Sequence, residues 1–338
     1  MASATPAPPS AAPGAREDGA GARFSPELMY AAARMYYLEE ATQAQVSARL
    51  GTSRATVSRL LSEARRQGIV RIEVVAPPLA DDGDLADRLA SVLGLRAVHL
   101  GAAAPTGRSA DLGITLGPAV ARVLAEVGLE PGDVLLVSSG RSTYEVAGTD
   151  LPHLPGVRVA PTVGGTDQAD AWYQTNEATR RVAERLGGTP LFLFAPALPG
   201  PGLYEELLAD PGTRRVLDAW DEAKVALVGI GAPPRTRTSL ASFVDRGDPV
   251  IMGATGDVCN RFFDEQGRPV AFRGAERLVA TTLDHLRALE RCVAVAVGTE
   301  KVPSITAAAR ARCITDLVTD PVTARALLAA NRPDADAD

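Results

Sequence analysis

Apolar positions along the chain first follow a helical rhythm, then break into short runs that alternate with helical stretches. Pro26–Glu40 (PELMYAAARMYYLEE) sets Leu28, Met29, Ala32, Met35, Tyr36 and Tyr37 at helical spacing. Thr42-Gln43-Ala44-Gln45 follows as a Thr-x-x-Gln capping box and opens a second helix through Leu50. Gly51 supplies the backbone freedom to end it. Ser53 is a good N-cap for a third helix, from Arg54 to about Gln67, closed by Gly68. Val46 and Leu50 on the second helix are placed to meet Val57, Leu60 and Leu61 on the third, with the small Ser47 at the crossing. Two such helices joined by a tight glycine turn predict a helix-turn-helix. Ile69–Val75 (IVRIEVV) alternates and predicts an attached strand. Pro77-Pro78 marks a linker, and Asp84–Leu93 predicts an amphipathic helix that couples domains or subunits.

From about Arg96 the pattern changes. Strands are expected at Ala97–Leu100, Val134–Val137, Val157–Val163, Leu191–Phe194, Val225–Ile230, Leu278–Thr282, Val293–Val297 and Ile314–Val318. Helical stretches lie between many of them: Leu112–Val127, Glu177–Leu186, Leu203–Leu208, Thr213–Glu222 and Thr323–Ala330. That alternation implies an α/β fold, a mostly parallel sheet between helices, with ligands collecting at the carboxyl ends of strands.

Composition narrows the class. The 338 residues are 46% hydrophobic and 22% charged, which suits two globular domains. No apolar run reaches the roughly 18 residues of a membrane span. Met1–Gly21 is Ala/Pro-rich without the basic start and apolar block of a secretory signal, so a floppy tail on a cytoplasmic protein is expected. Cys259, Cys292 and Cys313, like His99, His153 and His285, are scattered, which argues against a disulfide framework or a metal site. There is no Walker loop, and Gly229-Ile230-Gly231 does not complete a dinucleotide fingerprint; no cofactor is expected.

Charge is unevenly spread. Lys+Arg number 35 against 41 Asp+Glu, net −6. Tyr30–Val75 nonetheless holds seven arginines and four glutamates, so one basic segment sits inside an acidic chain. The outward face of the third helix reads Ser53, Arg54, Ala55, Thr56, Ser58 and Arg59. Short hydrogen-bonding side chains with two guanidinium forks suit base edges and phosphates, and Gln43 with the second helix's start suits the DNA backbone. The plainer alternative is a helical hairpin with a solvated arginine face.

In the second region, Ser138–Thr143 joins a strand to a helix start through Gly140, a turn that presents amides and hydroxyls to an anion. An ordinary strand-to-helix connection would look the same. Gly164-Gly165-Thr166 precedes Trp172–Glu177, aromatic and amide side chains suited to a polar small molecule, unless Trp172 is simply core. Asp257 and Lys301 follow two further apolar runs. The chain has only two lysines, Lys224 and Lys301, among its 35 basic residues. Such bias favours Lys301, after a strand-end glycine, as a place where a compact ammonium is needed.

With these stretches in order, the chain resembles the SorC family of bacterial transcriptional regulators. The resemblance is carried by AARMYYLEEATQAQVSARLGTSRATVSRLLSEARRQGIVRIEV, VSSGRSTYEVA, TVGG with YQTNEATRRVAERLGG, LVGIG, GATGDVCNRFFDEQG, and VAVGTEKVPSI with ITDLVTDPVTARALL. It covers roughly Ser25 to Ala330. It implies a winged-helix-like DNA reader and a Rossmann-like effector domain related to the sugar-phosphate isomerases, assembled as dimers or tetramers. The expected partners are operator DNA and a small metabolite, usually a phosphorylated sugar or similar effector. Carried over by motif, the effector pocket would use Gly140, Arg141, Ser142 and Thr143, then Gly164, Gly165, Gln174 and Asn176, with Asp257 on effector hydroxyls and Lys301 on an anionic group. Ser139, where many relatives carry a bulky residue, and Thr299, near where they have a second glycine, depart from the pattern and alter the pocket's shape.

The expected division is a disordered tail over 1–24, the helix-turn-helix domain over 25–76, linker and coupling helix over 77–95, the effector domain over 96–330, and a second tail over 331–338. The expected function is metabolite-controlled DNA binding without catalysis. The alternative is a sugar-phosphate isomerase-type enzyme with a DNA-binding head, using Asp257 and Glu300 as acid and base; it has no histidine relay in the sequence to support it.

Overall fold

Ser25 starts the first helix of the computed structural model: its hydroxyl accepts from the Leu28 amide at 3.2 Å, and Pro26 occupies the first turn, where no amide partner is needed. The structure describes residues 24–70, 80–102, 112–237, 240–241 and 243–331. They fall into two compact units, divided after Val74.

In the first unit α1 is Pro26–Tyr37, α2 Gln43–Leu50 and α3 Arg54–Arg66. The capping box at Thr42 and Gln45 is fully formed, Gly51 turns left-handed at φ 62°, and the Ser53 hydroxyl accepts from the Thr56 amide at 3.1 Å. Met29, Ala32, Val46, Val57, Leu60, Leu61 and Ala64 interlock as its core. Residues 71–75 of the expected strand lie outside the described residues; Ile69 and Val70 form a bend, the Val70 amide bonding to the Ala64 carbonyl at 3.1 Å.

The second unit runs α4 (Ala80–Leu93), β1 (Ala97–Leu100), α5 (Leu112–Val127), β2 (Val134–Val137), α6 (Arg141–Val146), β3 (Arg158–Pro161), α7 (Thr175–Leu186), β4 (Thr189–Pro190), α8 (Pro201–Ala209), α9 (Pro211–Glu222) and β5 (Val225–Gly229). It continues with α10 (Pro249–Met252), the hairpin β6 (Gly256–Val258) and β7 (Arg261–Phe263), then α11 (Leu283–Ala288), β8 (Arg291–Val295), α12 (Val302–Arg310), β9 (Asp316–Thr319) and α13 (Pro321–Ala330). Seven strands form one parallel sheet in the order β1-β9-β8-β5-β2-β3-β4. Both faces are covered. Val134 and Leu136 pack toward α4, α9, α11, α12 and α13, while Leu135 and Val137 pack toward α5, α6 and α7.

The expected coupling helix is α4, whose Leu85, Leu89 and Leu93 are buried in the second unit's core. Three expectations change. Leu278–Thr282 is not a sheet strand: the Arg261 guanidinium donates to the carbonyls of Ala275, Leu278, Ala280 and Thr281 at 2.9–3.2 Å, consuming acceptors a ladder would need. Leu191–Phe194 adds a single ladder bond, Leu191 N to Val159 O, before Asn176 takes both backbone groups of Leu193. At the far end, Asn331 is anchored, its side-chain amide donating to Thr306 Oγ1 and Leu327 O at 2.9 Å each; residues 1–23 and 332–338 lie outside the described residues. Among the described residues no helix is long and apolar enough to cross a membrane.

Candidate functional site

Two regions carry candidate chemistry, one in each unit. On the first, Ser53, Arg54, Ala55, Ser58 and Arg59 are exposed along α3, while Thr56 is half-buried and joined to Ser53 Oγ at 2.9 Å. Gln43 is half-buried at the first turn of α2. The arginines divide into two kinds. Arg34 and Arg49 both pair with Glu39, at 3.2 and 2.9 Å, and Arg66 pairs with Glu63. Arg54, Arg59 and Arg65 form no ion pair with a described residue. Their positive charge is therefore uncompensated along one helix, the arrangement that attracts phosphates.

The second region lies where the sheet reverses direction. From β2 the chain moves outward through β3 to β4, then returns to place β5 on the other side of β2. Loops leaving adjacent strands in opposite directions open a crevice at such a switch point. A cavity of about 810 Å³ fills it, lined by Ser139–Ser142 after β2, Gly229–Ala232 after β5, Val297–Lys301 after β8 and Asp320 after β9. Thr166, Gln168, Trp172, Thr236, Arg237, Asp257, Cys259 and Asn260 complete its polar wall.

Arg141 begins α6 and lays its guanidinium on Trp172, 4.6 Å from the ring centroid. Trp172 is thus a wall of the cavity rather than core, tied to the same loop by its carbonyl, which accepts from the Gly140 amide at 2.7 Å. Asp257 projects from the β6–β7 hairpin and is paired with Arg237. A Cβ at residue 231 would lie 2.2 Å from Asp257 Oδ1, so only glycine at the end of β5 admits this pair. The hairpin turns at Cys259 and Asn260 with φ of 52° and 60°, both left-handed without a glycine, and presents them to the cavity. Burial pushes the Cys259 thiol up to about 11, so it stays protonated near neutral pH.

Lys301 closes the cavity from the 3₁₀ turn Thr299–Lys301. Its ammonium has no hydrogen bond or ion pair with a described residue. Burial pushes its pKa below the usual lysine range; Glu300 opposes that shift, Arg237 adds to it, and Asp257 and Arg141 act more weakly in turn. Three further buried atoms in the wall lack a described protein partner: Thr166 Oγ1, Gln168 Oε1 and Arg237 Nε. Buried polar groups are ordinarily satisfied, so at these three atoms a water or a ligand would complete the hydrogen bonding.

Of the residues expected here, the structure brings Gly140, Arg141, Ser142, Asp257 and Lys301 to the cavity. The others stand behind it. Thr143 is buried and donates to the Gly140 carbonyl at 2.8 Å. Gly164 packs on Ala195 and Pro196, and Gly165 bonds across to the Ala195 carbonyl at 2.8 Å. Gln174 donates to the Gln168 carbonyl, and Asn176 holds the Leu193 backbone at 3.0 and 3.1 Å. Arg237 and Gln168 were not anticipated, and Thr166 was named only as the end of the Gly164-Gly165-Thr166 motif. No local motif marks the first two; a chain with 35 basic residues does not single out one arginine in a loop. A second hollow of about 670 Å³ includes Arg235, Asp264, Arg268 and Arg310, but Arg268 is paired with Asp264 and Arg310 donates to the Glu265 carbonyl.

Residues 78–329 match the family model described as "Putative sugar-binding domain", and residues 34–67 match that of "Sigma-70, region 4". The deoxyribonucleoside regulator of Bacillus subtilis is 30% identical over 311 residues, covering 90% of this chain and 98% of that protein. The sorbitol operon regulator of Klebsiella pneumoniae is 30% identical over 310 residues, covering 89% and 97%. The crystal structure of full-length SorC, that sorbitol operon regulator, matches with a TM-score of 0.70 at 29% identity, covering 91% of this chain and all of the other.

Proposed function

Because the chain belongs to the SorC family of sugar-binding transcriptional regulators, we propose that its first unit binds operator DNA and its second holds a sugar-type effector that sets the strength of that binding. The observation that carries the effector half is Lys301: a half-buried ammonium without a hydrogen bond or ion pair to a described residue, in a cavity at the sheet's switch point. An unpaired, partly buried cation lowers stability, and a chain keeps one where a ligand pairs with it. In this reading Lys301 and Arg141 meet an anionic group such as a sugar's phosphate. Asp257, Arg237, Gln168 and Thr166 meet hydroxyls, and Gly140 and Ser142 line the loop between. Thr143, Gly164, Gly165, Gln174 and Asn176 hold these groups in place.

On the DNA side, Arg54 and Arg59 reach base edges or phosphates, Ser53, Ala55, Thr56 and Ser58 fit the groove, and Gln43 steadies the backbone. One such module reads only a short half-site, so the regulator works as a homo-oligomer, dimer or tetramer. Catalysis is not part of the proposal: of the groups a reaction here would use, Asp257 is held by Arg237 and Cys259 is a protonated thiol.

A thermal-shift screen of phosphorylated and free sugars tests the effector half on the wild type and on Lys301→Ala. The expected result is a ligand that raises the wild-type Tm, loses that effect in Lys301→Ala, and is recovered chemically unchanged. A shift of equal size in both proteins removes Lys301 from the site, and turnover of the ligand replaces the regulator reading of the cavity with an enzymatic one.

A further inference from the structure

The cavity's ionisable groups balance instead of being cationic. Arg141, Arg237 and Lys301 stand against Asp257, Glu300 and Asp320. Two of the three carboxylates are committed elsewhere: Asp257 pairs with Arg237, and Asp320 Oδ1 accepts from the Thr323 amide at 2.8 Å as the cap of α13. Arg141 is spread on Trp172. Lys301 and Glu300 remain, neither with a hydrogen bond or ion pair to a described residue.

Glu300 is exposed, yet its carboxylate is folded back toward the chain rather than extended into water. A Cβ built at residue 298 would lie 2.3 and 2.4 Å from its two Oε atoms. Gly298 has φ 119°, a backbone conformation that demands glycine there. The carboxylate therefore rests directly over the Gly298–Lys301 turn, on the wall of the cavity that also carries Lys301. Its negative charge opposes the downward shift that burial imposes on the Lys301 pKa, ahead of the effects of Arg237, Asp257 and Arg141.

We propose that Glu300 is an internal stand-in for the anionic group of the effector, lying over the Gly298–Lys301 turn so that an anionic effector binds only by displacing it. The inference rests on the effector reading of this cavity and adds a specificity-determining residue to it. A phosphate entering beside Lys301 would meet like charge from Glu300 at close range. The side chain is exposed and hydrogen-bonded to no described residue, so turning it into solvent costs its attraction to Lys301 and no hydrogen bond. Glu300 thereby raises the threshold for small anions. Only a ligand that also engages the hydroxyl-binding wall (Asp257, Arg237, Gln168, Thr166) gains enough to turn it out, and abundant inorganic phosphate is kept from acting as a false effector.

The test titrates inorganic phosphate into the full-length chain by calorimetry at constant ionic strength. The proteins compared are wild type, Glu300→Gln, the double variant Glu300→Gln/Lys301→Met, and Glu126→Gln, which removes one exposed charge from α5. Glu300→Gln is expected to bind phosphate about tenfold more tightly than wild type, an increase lost in the double variant and not reproduced by Glu126→Gln. The inference is overturned if wild type already binds phosphate and Glu300→Gln binds it equally or less tightly, an outcome that leaves the effector reading standing. A gain that survives in the double variant, or appears in Glu126→Gln, also overturns it, since the effect would then be general charge. If neither wild type nor Glu300→Gln binds phosphate through Lys301, the anion-binding reading of the cavity fails together with this one.

Discussion

Arg291 at the start of β8, Thr315 and Asp316 at the start of β9, and His99 of β1 form a polar cluster in the second unit. Asp316 is fully buried and accepts from Arg291 at 2.8 and 2.5 Å, from Thr315 Oγ1 at 2.6 Å, and lies 3.3 Å from His99 Nε2. Burial alone would raise its pKa; hydrogen bonds from His99, Arg291 and Thr315 outweigh that and hold the carboxyl at about 2. The folded value lies below the ordinary one near 4, so the stabilisation is complete above that value and is lost as pH falls through about 2. Asp316→Asn would leave the largely buried Arg291 guanidinium without its counter-charge, at about 3–5 kcal/mol. Urea unfolding at pH 7 should show that loss, and the gap from wild type should narrow below pH 4. A variant as stable as wild type at pH 7 would mean that the cluster is incidental. Lys301 is the opposite case: half-buried, cationic and without an ion pair to a described residue. The two together separate residues that hold the fold from residues held in readiness for something else.

At the level of elements, α3 shows how far local sequence reaches. Its boundaries, caps and exposed face follow from Ser53, Gly68 and the spacing of Val57, Leu60 and Leu61, because the caps bond within a few residues and the apolar spacing marks the buried face. Local sequence does not say which arginines are free, since the pairing of Arg49 depends on Glu39 ten positions away on another element. The same distance effect explains what was missed in the second unit. Arg237 is held in the cavity wall by Asp257, twenty positions on, and Asn176 holds the backbone of Leu193, seventeen positions on. Leu278–Thr282 has the apolar character of a strand, but Arg261 claims its carbonyls. What was legible, the strand ends and their glycine loops, located the cavity; which side chains enter it is decided by long-range pairing. The free and paired arginines make an internal comparison for DNA binding. Arg59→Ala should weaken operator binding by about 1–3 kcal/mol, roughly five- to 150-fold, in a gel-shift titration at fixed salt. Arg49→Ala, whose charge Glu39 already offsets, should change it much less. Equal losses from the two would show that α3 is not the element reading the groove.

For the whole molecule, the charge division and the cavity have a joint consequence that does not depend on how the two units are arranged. The basic segment lies within a chain of net −6, so attraction to polyanions is concentrated where α3 presents its free arginines. An effector bound in the other unit changes that attraction only if it binds the DNA-competent and DNA-incompetent states with different affinity. Linkage then fixes the return effect: if saturating effector weakens operator binding by some factor, saturating operator weakens effector binding by the same factor. Coupling free energies of about 1–3 kcal/mol, roughly five- to 150-fold, are the usual range. Effector titrations with and without a saturating operator duplex should therefore reproduce the factor found in operator titrations with and without effector. The paired variant Arg54→Ala/Arg59→Ala should bind effector with an affinity that the duplex no longer changes. Unequal factors would mean that effector and DNA act on different populations, for instance on the oligomeric state at different protein concentrations, and repeating both titrations at one fixed protein concentration would separate that case from true coupling between the two units.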